Sequence, residues 1–138
     1  MTVFYLETSA ALTWLFGEPE ASELIDTING ADLIVTSDLL RIETVRAIKR
    51  ALHEKLITLE QRETLIQTFR DYLKSCFRMS IDESVVTGAT EDFPVEPVRS
   101  LDAIHLSVAS EYKKLYPALR MLTTDTRLKQ NTASLGLG

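Results

Sequence analysis

Four carboxylates, Glu7, Glu43, Asp102 and Asp125, occupy positions where an acid can do chemistry rather than merely meet solvent. Glu7 closes the apolar run "VFYL" and is followed by the hydroxyls Thr8 and Ser9; Asp125 closes "LRMLTT" and is preceded by Thr123 and Thr124. In open parallel sheets ligands bind beyond the carboxyl ends of the strands, so acids at strand ends are the first to test. Either acid equally suits a turn or the cap of a following helix. Glu43 falls on a largely apolar helical face, with Leu39 and Ala47 one turn away on either side, or else pairs at the surface with Arg46 three residues on. Asp102 lies in the first turn of a helix, where the dipole favours an anion by roughly 0.3 to 1 kcal/mol, but its neighbours Leu101, Ala103, Ile104 and Leu106 are apolar.

Brought together, four carboxylates repel, and their pKa values rise unless a cation sits among them. On that reasoning, neutralising one of them stabilises the cation-free protein. An oxygen-only donor set suits hard ions such as Mg2+ or Mn2+ rather than zinc. The two histidines offer no ligand pair: His53 lies on a basic helix and His105 within an apolar one, which points to surface and packing roles.

The elements that must position these acids are legible from periodicity. "TVFYL" reads as a buried strand, "TSAALTWLF" as a helix broken at "GEP", "EASELIDTING" as a helix stopped at Asn29 and Gly30, and "DLIVTS" as a second strand. Ser37 is the expected cap of "DLLRIETVRAIKRALHEKL", and Thr58 with Gln61 forms a capping box for "TLEQRETLIQTFRDYLKS", giving a helical hairpin. "CFRMSI" is a third strand, "DESVVTGATE" a helix and "FPVEPVR" a loop. Ser100 is the expected cap of "LDAIHLSVASEYKKL", "LRMLTT" is a fourth strand, and "ASLGLG" is a candidate fifth, edge strand. Strands alternating with helices imply an α/β fold with a mainly parallel sheet of four or five strands covered on both faces. Without a repeat or linker, residues 1–138 are expected to form a single domain.

Composition excludes several classes. No apolar run approaches the roughly 18 residues of a membrane span, and "MTVFYLE" lacks the basic flank of a secretory signal, so no membrane association and a cytoplasmic location are expected. The single cysteine, Cys76, forms no internal disulfide or thiolate cage and is expected to be a core thiol. A formal charge of −5 argues against bulk electrostatic coating of nucleic acid. Locally the balance reverses: Arg41, Arg46, Lys49, Arg50 and Lys55 face only Glu43 and Glu54 between residues 41 and 55, which makes either a basic patch or a solvated helix face. Trp14 and Phe16 read as core packing or as interface residues.

With "YLETSAAL", "LLRIETVRAI", "RSLDAIHLSVA" and "LTTDTRL" in this order, the chain resembles PIN domains, and more closely the VapC-type toxin ribonucleases, over essentially its whole length. The resemblance implies a three-layer α/β/α sandwich, a homodimer, a small antitoxin partner and Mg2+- or Mn2+-dependent hydrolysis of RNA. It makes Glu7, Glu43, Asp102 and Asp125 the acidic quartet, although the family has Asp where this chain has Glu7. In such a site water attacks a phosphodiester, with Asp125 or Glu43 acting on metal or on water. Ser9 and Thr124 are placed to orient a carboxylate or that water, or else serve as cap and strand end, and Arg41 and Arg46 to hold phosphates. Two other readings remain: a phosphotransferase, disfavoured by the lack of a "DxD" after the first strand and of a glycine-rich loop, and a catalytically weakened PIN-like module that binds RNA or protein.

Overall fold

The computed structural model describes all 138 residues. In chain order the elements are β1 (Val3–Leu6), α1 (Thr8–Leu15), α2 (Ala21–Gly30), β2 (Leu33–Ser37), α3 (Asp38–His53), α4 (Leu59–Leu73), β3 (Phe77–Met79), α5 (Glu83–Ala89), α6 (Ser100–Leu115), β4 (Arg120–Leu122) and α7 (Thr126–Thr132). The sheet is wholly parallel, in the order β3-β2-β1-β4. Its carboxyl edge therefore gathers the residues that follow Leu6, Ser37, Met79 and Leu122. No helix is long and apolar enough to cross a membrane.

Strand period sorts the core into two layers. Val3, Tyr5 and Val35 pack with Val85 of α5, Leu106, Val108 and Tyr112 of α6 and Leu128 of α7. Phe4, Leu6 and Ile34 point to the other face and pack with Ala10 and Ala11 of α1, Leu40 of α3 and Phe69 of α4. Every residue of β1 is buried, as a central parallel strand covered on both faces requires. These two helical layers around one sheet are the expected α/β/α sandwich.

Several local expectations hold and others are corrected. Thr58 and Gln61 form the reciprocal capping box of α4, at 3.1 and 2.8 Å. Ser37 takes the cap position of α3, but its hydroxyl lies 3.4 Å from the Tyr5 hydroxyl instead of capping an amide. At α6 the cap is Arg99, not Ser100, because the Arg99 carbonyl already accepts the first helical bond, from the Ala103 amide at 2.8 Å. The tail adds no fifth strand. Gly136 turns the chain with φ +73°, the Leu137 amide returns to the Thr132 carbonyl at 2.7 Å, and only one backbone bond, Met121 N–H to the Leu137 carbonyl at 2.8 Å, joins it to β4. Leu137 is instead a fully buried plug in the first core layer. Cys76 is half-buried at the edge of the second layer, and burial pushes its thiol pKa up, which makes it a poor nucleophile. Trp14 packs edge-on to Tyr72 with centroids 5.0 Å apart, whereas Phe16 is exposed.

Helices α5 and α6 approach closely at Gly88. A Cβ there would sit 2.5 Å from the buried Ser107 hydroxyl, which donates to the Val85 carbonyl at 2.7 Å. Gly88→Ala gains about 1 kcal/mol of helix propensity but overpacks this contact by about 1 to 3 kcal/mol. A net fall in thermal stability is expected, and adding Ser107→Ala is expected to restore most of it. Calorimetry on the single and double variants checks both.

Candidate functional site

At the carboxyl edge, β1 runs straight into α1 through Glu7. Its backbone is extended and its amide donates to the Leu122 carbonyl at 3.1 Å, prolonging the β1–β4 pairing by one residue. The side chain is only 4% exposed and turns back on its own helix. One oxygen accepts from the Ser9 amide at 2.7 Å; the other accepts from the Ser9 and Thr123 hydroxyls at 2.5 and 2.6 Å. Glu7 is thus a helix cap with both oxygens engaged.

Ser9 joins the two strand ends: its hydroxyl donates to Glu7 and accepts from the Thr124 and Asp125 amides at 2.9 and 3.1 Å. The expected carboxylate-orienting role fits Ser9 but not Thr124, whose hydroxyl faces Thr13 at 3.2 Å. Thr123 takes that place. The register Leu6↔Leu122 sets Thr123 opposite Glu7, a relation visible only once the strands are paired.

Glu43, in the second turn of α3, leans across the sheet edge toward α1 and α6. Its Oε1 accepts from the Thr8 hydroxyl at 2.7 Å and from His105 Nε2 at 2.6 Å. His105 is 1% exposed and its other ring nitrogen lies 2.7 Å from the Tyr5 hydroxyl. Sequence reasoning gave His105 a packing role and passed over Tyr5. A signal existed: a histidine in an apolar helix needs a polar partner, and position 105 lies one turn beyond Asp102, on its face.

Asp102 and Asp125 share one cation. Arg99 Nε and Nη2 each lie 2.9 Å from Asp102 Oδ2, and Nη2 lies 3.6 Å from Asp125 Oδ2. Asp125 Oδ1 meanwhile caps α7, accepting from the Arg127 and Leu128 amides at 2.8 and 3.3 Å. Asp102 pushes the Arg99 pKa up by hydrogen bond and charge, with Asp125 and Glu43 adding to it. Beside Asp102 a cleft of about 480 Å³ opens between α6 and α7, lined by Pro97, Val98, Arg99, Arg127 and Gln130.

The expected rise in carboxylate pKa is not met at Glu43. Burial alone raises it, but hydrogen bonds from His105 and Thr8, with help from the Arg99 charge, bring it below the ordinary glutamate value. A depressed folded-state pKa contributes stability that is complete above the unfolded value, about 4.3, and is lost as pH falls through the folded value. Glu43→Gln is therefore expected to flatten the acid limb of the melting temperature profile below about pH 4.3. Melting both proteins in EDTA from neutral to acid pH checks this.

Arg41 and Arg46 part company. Arg41 is two residues from Glu43, about 200° round the helix, and points away from the carboxylates. Arg46 is exposed and joins Lys49, Arg50 and His53 along an open groove of about 320 Å³ that no hydrophobic residue lines. None of these four takes part in an ion pair.

The site's charges suit a divalent cation, though not as a preformed cage. No three His, Cys, Asp or Glu side chains stand close enough together to hold an ion. Asp102 and Asp125 nevertheless face one cationic position, now taken by the Arg99 guanidinium, with Glu43 acting on the same group. The donor set is all oxygen, as a hard ion prefers. Glu7 differs from the other three in that both its oxygens already accept hydrogen bonds from the chain.

A family model described as "PIN domain" matches residues 4–133. Similar proteins include Ribonuclease VapC35 of Mycobacterium tuberculosis, 31% identical over 137 residues, covering 98% of this chain and 93% of the relative. Ribonuclease VapC46 of the same organism is 30% identical over 138 residues, covering 99% and 95%. Ribonuclease VapC47, also from that organism, is 30% identical over 139 residues, covering 97% and 93%.

Proposed function

The chain belongs to the PIN domain family, and from that premise we propose that it is a VapC-type endoribonuclease using Mg2+ or Mn2+ to hydrolyse RNA phosphodiester bonds. One observation carries the reading: Asp102 and Asp125 converge on a single guanidinium at the carboxyl edge of a parallel sheet, with Glu43 in electrostatic reach. The names of the relatives support the ribonuclease activity.

Asp102, Asp125 and the free Oε2 of Glu43 would hold the ion, competing with Arg99 for the same charge. When bound, the ion supplies an activated water and stabilises charge developing on phosphate and leaving oxygen. The chain does the rest. Ser9 and Thr123 hold Glu7 and the start of α7 in register, and through the Asp125 amide Ser9 fixes the backbone from which that carboxylate projects. Arg99, displaced from the aspartates, and Arg127 in the adjoining cleft are placed to pair with RNA phosphates. Arg46, with Lys49 and Arg50, offers a separate cationic groove on α3.

The partners that follow from this reading are a small antitoxin and a second copy of the chain, acting in the cytoplasm. Exposed Leu56, Leu59 and Phe16 supply apolar surface near the α3–α4 turn for such contacts. The alternative, a catalytically weakened module that binds RNA or protein, draws on Glu7, whose carboxylate is fully engaged as a cap.

Labelled single-stranded and structured RNAs incubated with the protein across Mg2+ and Mn2+ titrations test the proposal. Endonucleolytic products that appear with metal and vanish with EDTA are expected. RNA binding without turnover at any metal concentration would favour the weakened module, and cleavage indifferent to EDTA would remove the metal from the mechanism.

A further inference from the structure

In the chain Tyr5–His105–Glu43 the first two members are fully buried, and the reading above uses only the last. Tyr5 is wholly buried at the centre of β1, and burial raises its pKa far above the usual range, so the hydroxyl keeps its proton. Its neighbour Ser37 Oγ is 3.4 Å away, whereas His105 Nδ1 is at 2.7 Å. The Tyr5 proton therefore goes to Nδ1. That leaves Nε2 carrying hydrogen, the form required to donate to Glu43 Oε1 at 2.6 Å. Both ends of the ring thus specify one tautomer and one orientation. The ring also packs edge-on to Tyr5, with centroids 5.8 Å apart, so the imidazole is held by packing as well as by hydrogen bonds.

The consequence falls on Glu43. Its side chain is anchored through Oε1 alone, by His105 and Thr8, while Oε2 accepts from no protein group. We propose that His105, clamped by Tyr5, is a positioning residue for the ribonuclease reaction: it fixes the Glu43 carboxylate so that Oε2 is presented to the divalent ion. This rests on the nuclease reading above, in which Glu43 is a ligand. A glutamate has three side-chain torsions to order, and a partner rooted in the sheet core removes that freedom before the ion arrives. The histidine acts through Glu43 and touches neither ion nor RNA.

Three variants separate positioning from packing. His105→Leu removes the donor and fills its place with an apolar side chain; His105→Gln keeps an N–H that can reach Glu43; Tyr5→Phe keeps the ring and removes only the clamp. Mn2+ binding is measured without RNA, from the electron paramagnetic resonance signal of the free ion, and kcat and KM are measured on one RNA. Melting in EDTA establishes that each variant is folded. Loss of such a supporting partner typically lowers metal affinity by about 10- to 100-fold, and that range is expected for His105→Leu. His105→Gln is expected to recover most of the affinity. Tyr5→Phe is expected to weaken Mn2+ binding several-fold and to shift the 15N resonance of His105 Nδ1 in the metal-free protein, with KM for RNA nearly constant.

Wild-type Mn2+ affinity in folded His105→Leu would overturn the proposal, as would equal losses in the Leu and Gln variants, which would mark a packing role. Should His105→Leu not fold, unchanged Mn2+ affinity in Tyr5→Phe would overturn it equally. If the unaltered protein neither binds Mn2+ nor cleaves RNA, the nuclease reading itself falls and this inference with it.

Discussion

Asp102→Asn is expected to lower metal-dependent RNA cleavage by at least about 10³-fold, because it deletes a full charge from the cation position while keeping the shape of the side chain. An ion that stabilises transition-state charge contributes several kcal/mol, and each roughly 1.4 kcal/mol is tenfold in rate. Asp102 Oδ2 is the oxygen to which two Arg99 nitrogens point, so it is the strongest single cation contact among the four acids. Initial rates across a Mn2+ titration check the prediction, and cleavage within tenfold of the unaltered protein would remove Asp102 from the centre. The stability arm reverses the expectation drawn from repulsion alone. With Arg99 already pairing Asp102, the substitution loses an ion pair whose arginine is 60% exposed and therefore well screened by solvent. A small fall in melting temperature is expected. It must be measured in EDTA, since bound metal stabilises by mass action and would exaggerate the difference.

The fold was legible where burial has a period, and the site where an acid breaks one. Val3 and Tyr5 against Phe4 and Leu6 divide between two core layers as a central parallel strand requires, and Glu7 and Asp125 stand out because a charge follows such a run. What escaped depends on relations between elements. Thr123 faces Glu7 only because Leu6 pairs with Leu122, and a register one residue different would have offered Thr124 instead. His105 reaches Glu43 across 62 positions of sequence, and Tyr5 reaches His105 across 100. Arg99 was hidden by the expectation that Ser100 caps α6; with the helix beginning at Ser100, Arg99 and Asp102 fall at i and i+3 and pair. The tail misled for a related reason: "ASLGLG" has alternating leucines, but a left-handed glycine folds it into a plug rather than a strand.

Glu7→Asp is expected to raise metal-dependent cleavage by about 10-fold, and Asp125 shows why. Asp125 caps α7 with Oδ1, through the Arg127 and Leu128 amides, and leaves Oδ2 turned toward the shared cation. Glu7 caps α1 in the equivalent place at the end of β1, but its longer side chain folds back so that the Ser9 amide holds one oxygen while the Ser9 and Thr123 hydroxyls hold the other. Aspartate is a strong N-cap in its own right, so the shorter residue retains the Ser9 amide through one oxygen. Its second oxygen no longer reaches Thr123 and becomes available to the ion. Placement errors of about 1 Å near reacting groups can change rates on the order of 10²-fold, and functional geometry tolerates only about 0.5 Å, so one methylene is enough to matter. The opposing effect is the buried Thr123 hydroxyl, which loses its acceptor at about 1 to 3 kcal/mol unless it turns wholly to Ser9, 3.0 Å away. That penalty acts on stability and is read separately by melting in EDTA. Cleavage rates of both proteins on one RNA, followed to saturating Mn2+, distinguish affinity from turnover. A rate that falls at saturating metal would mean that the surrounding backbone has adjusted to glutamate, and that Glu7 serves the site in the folded-back form seen here.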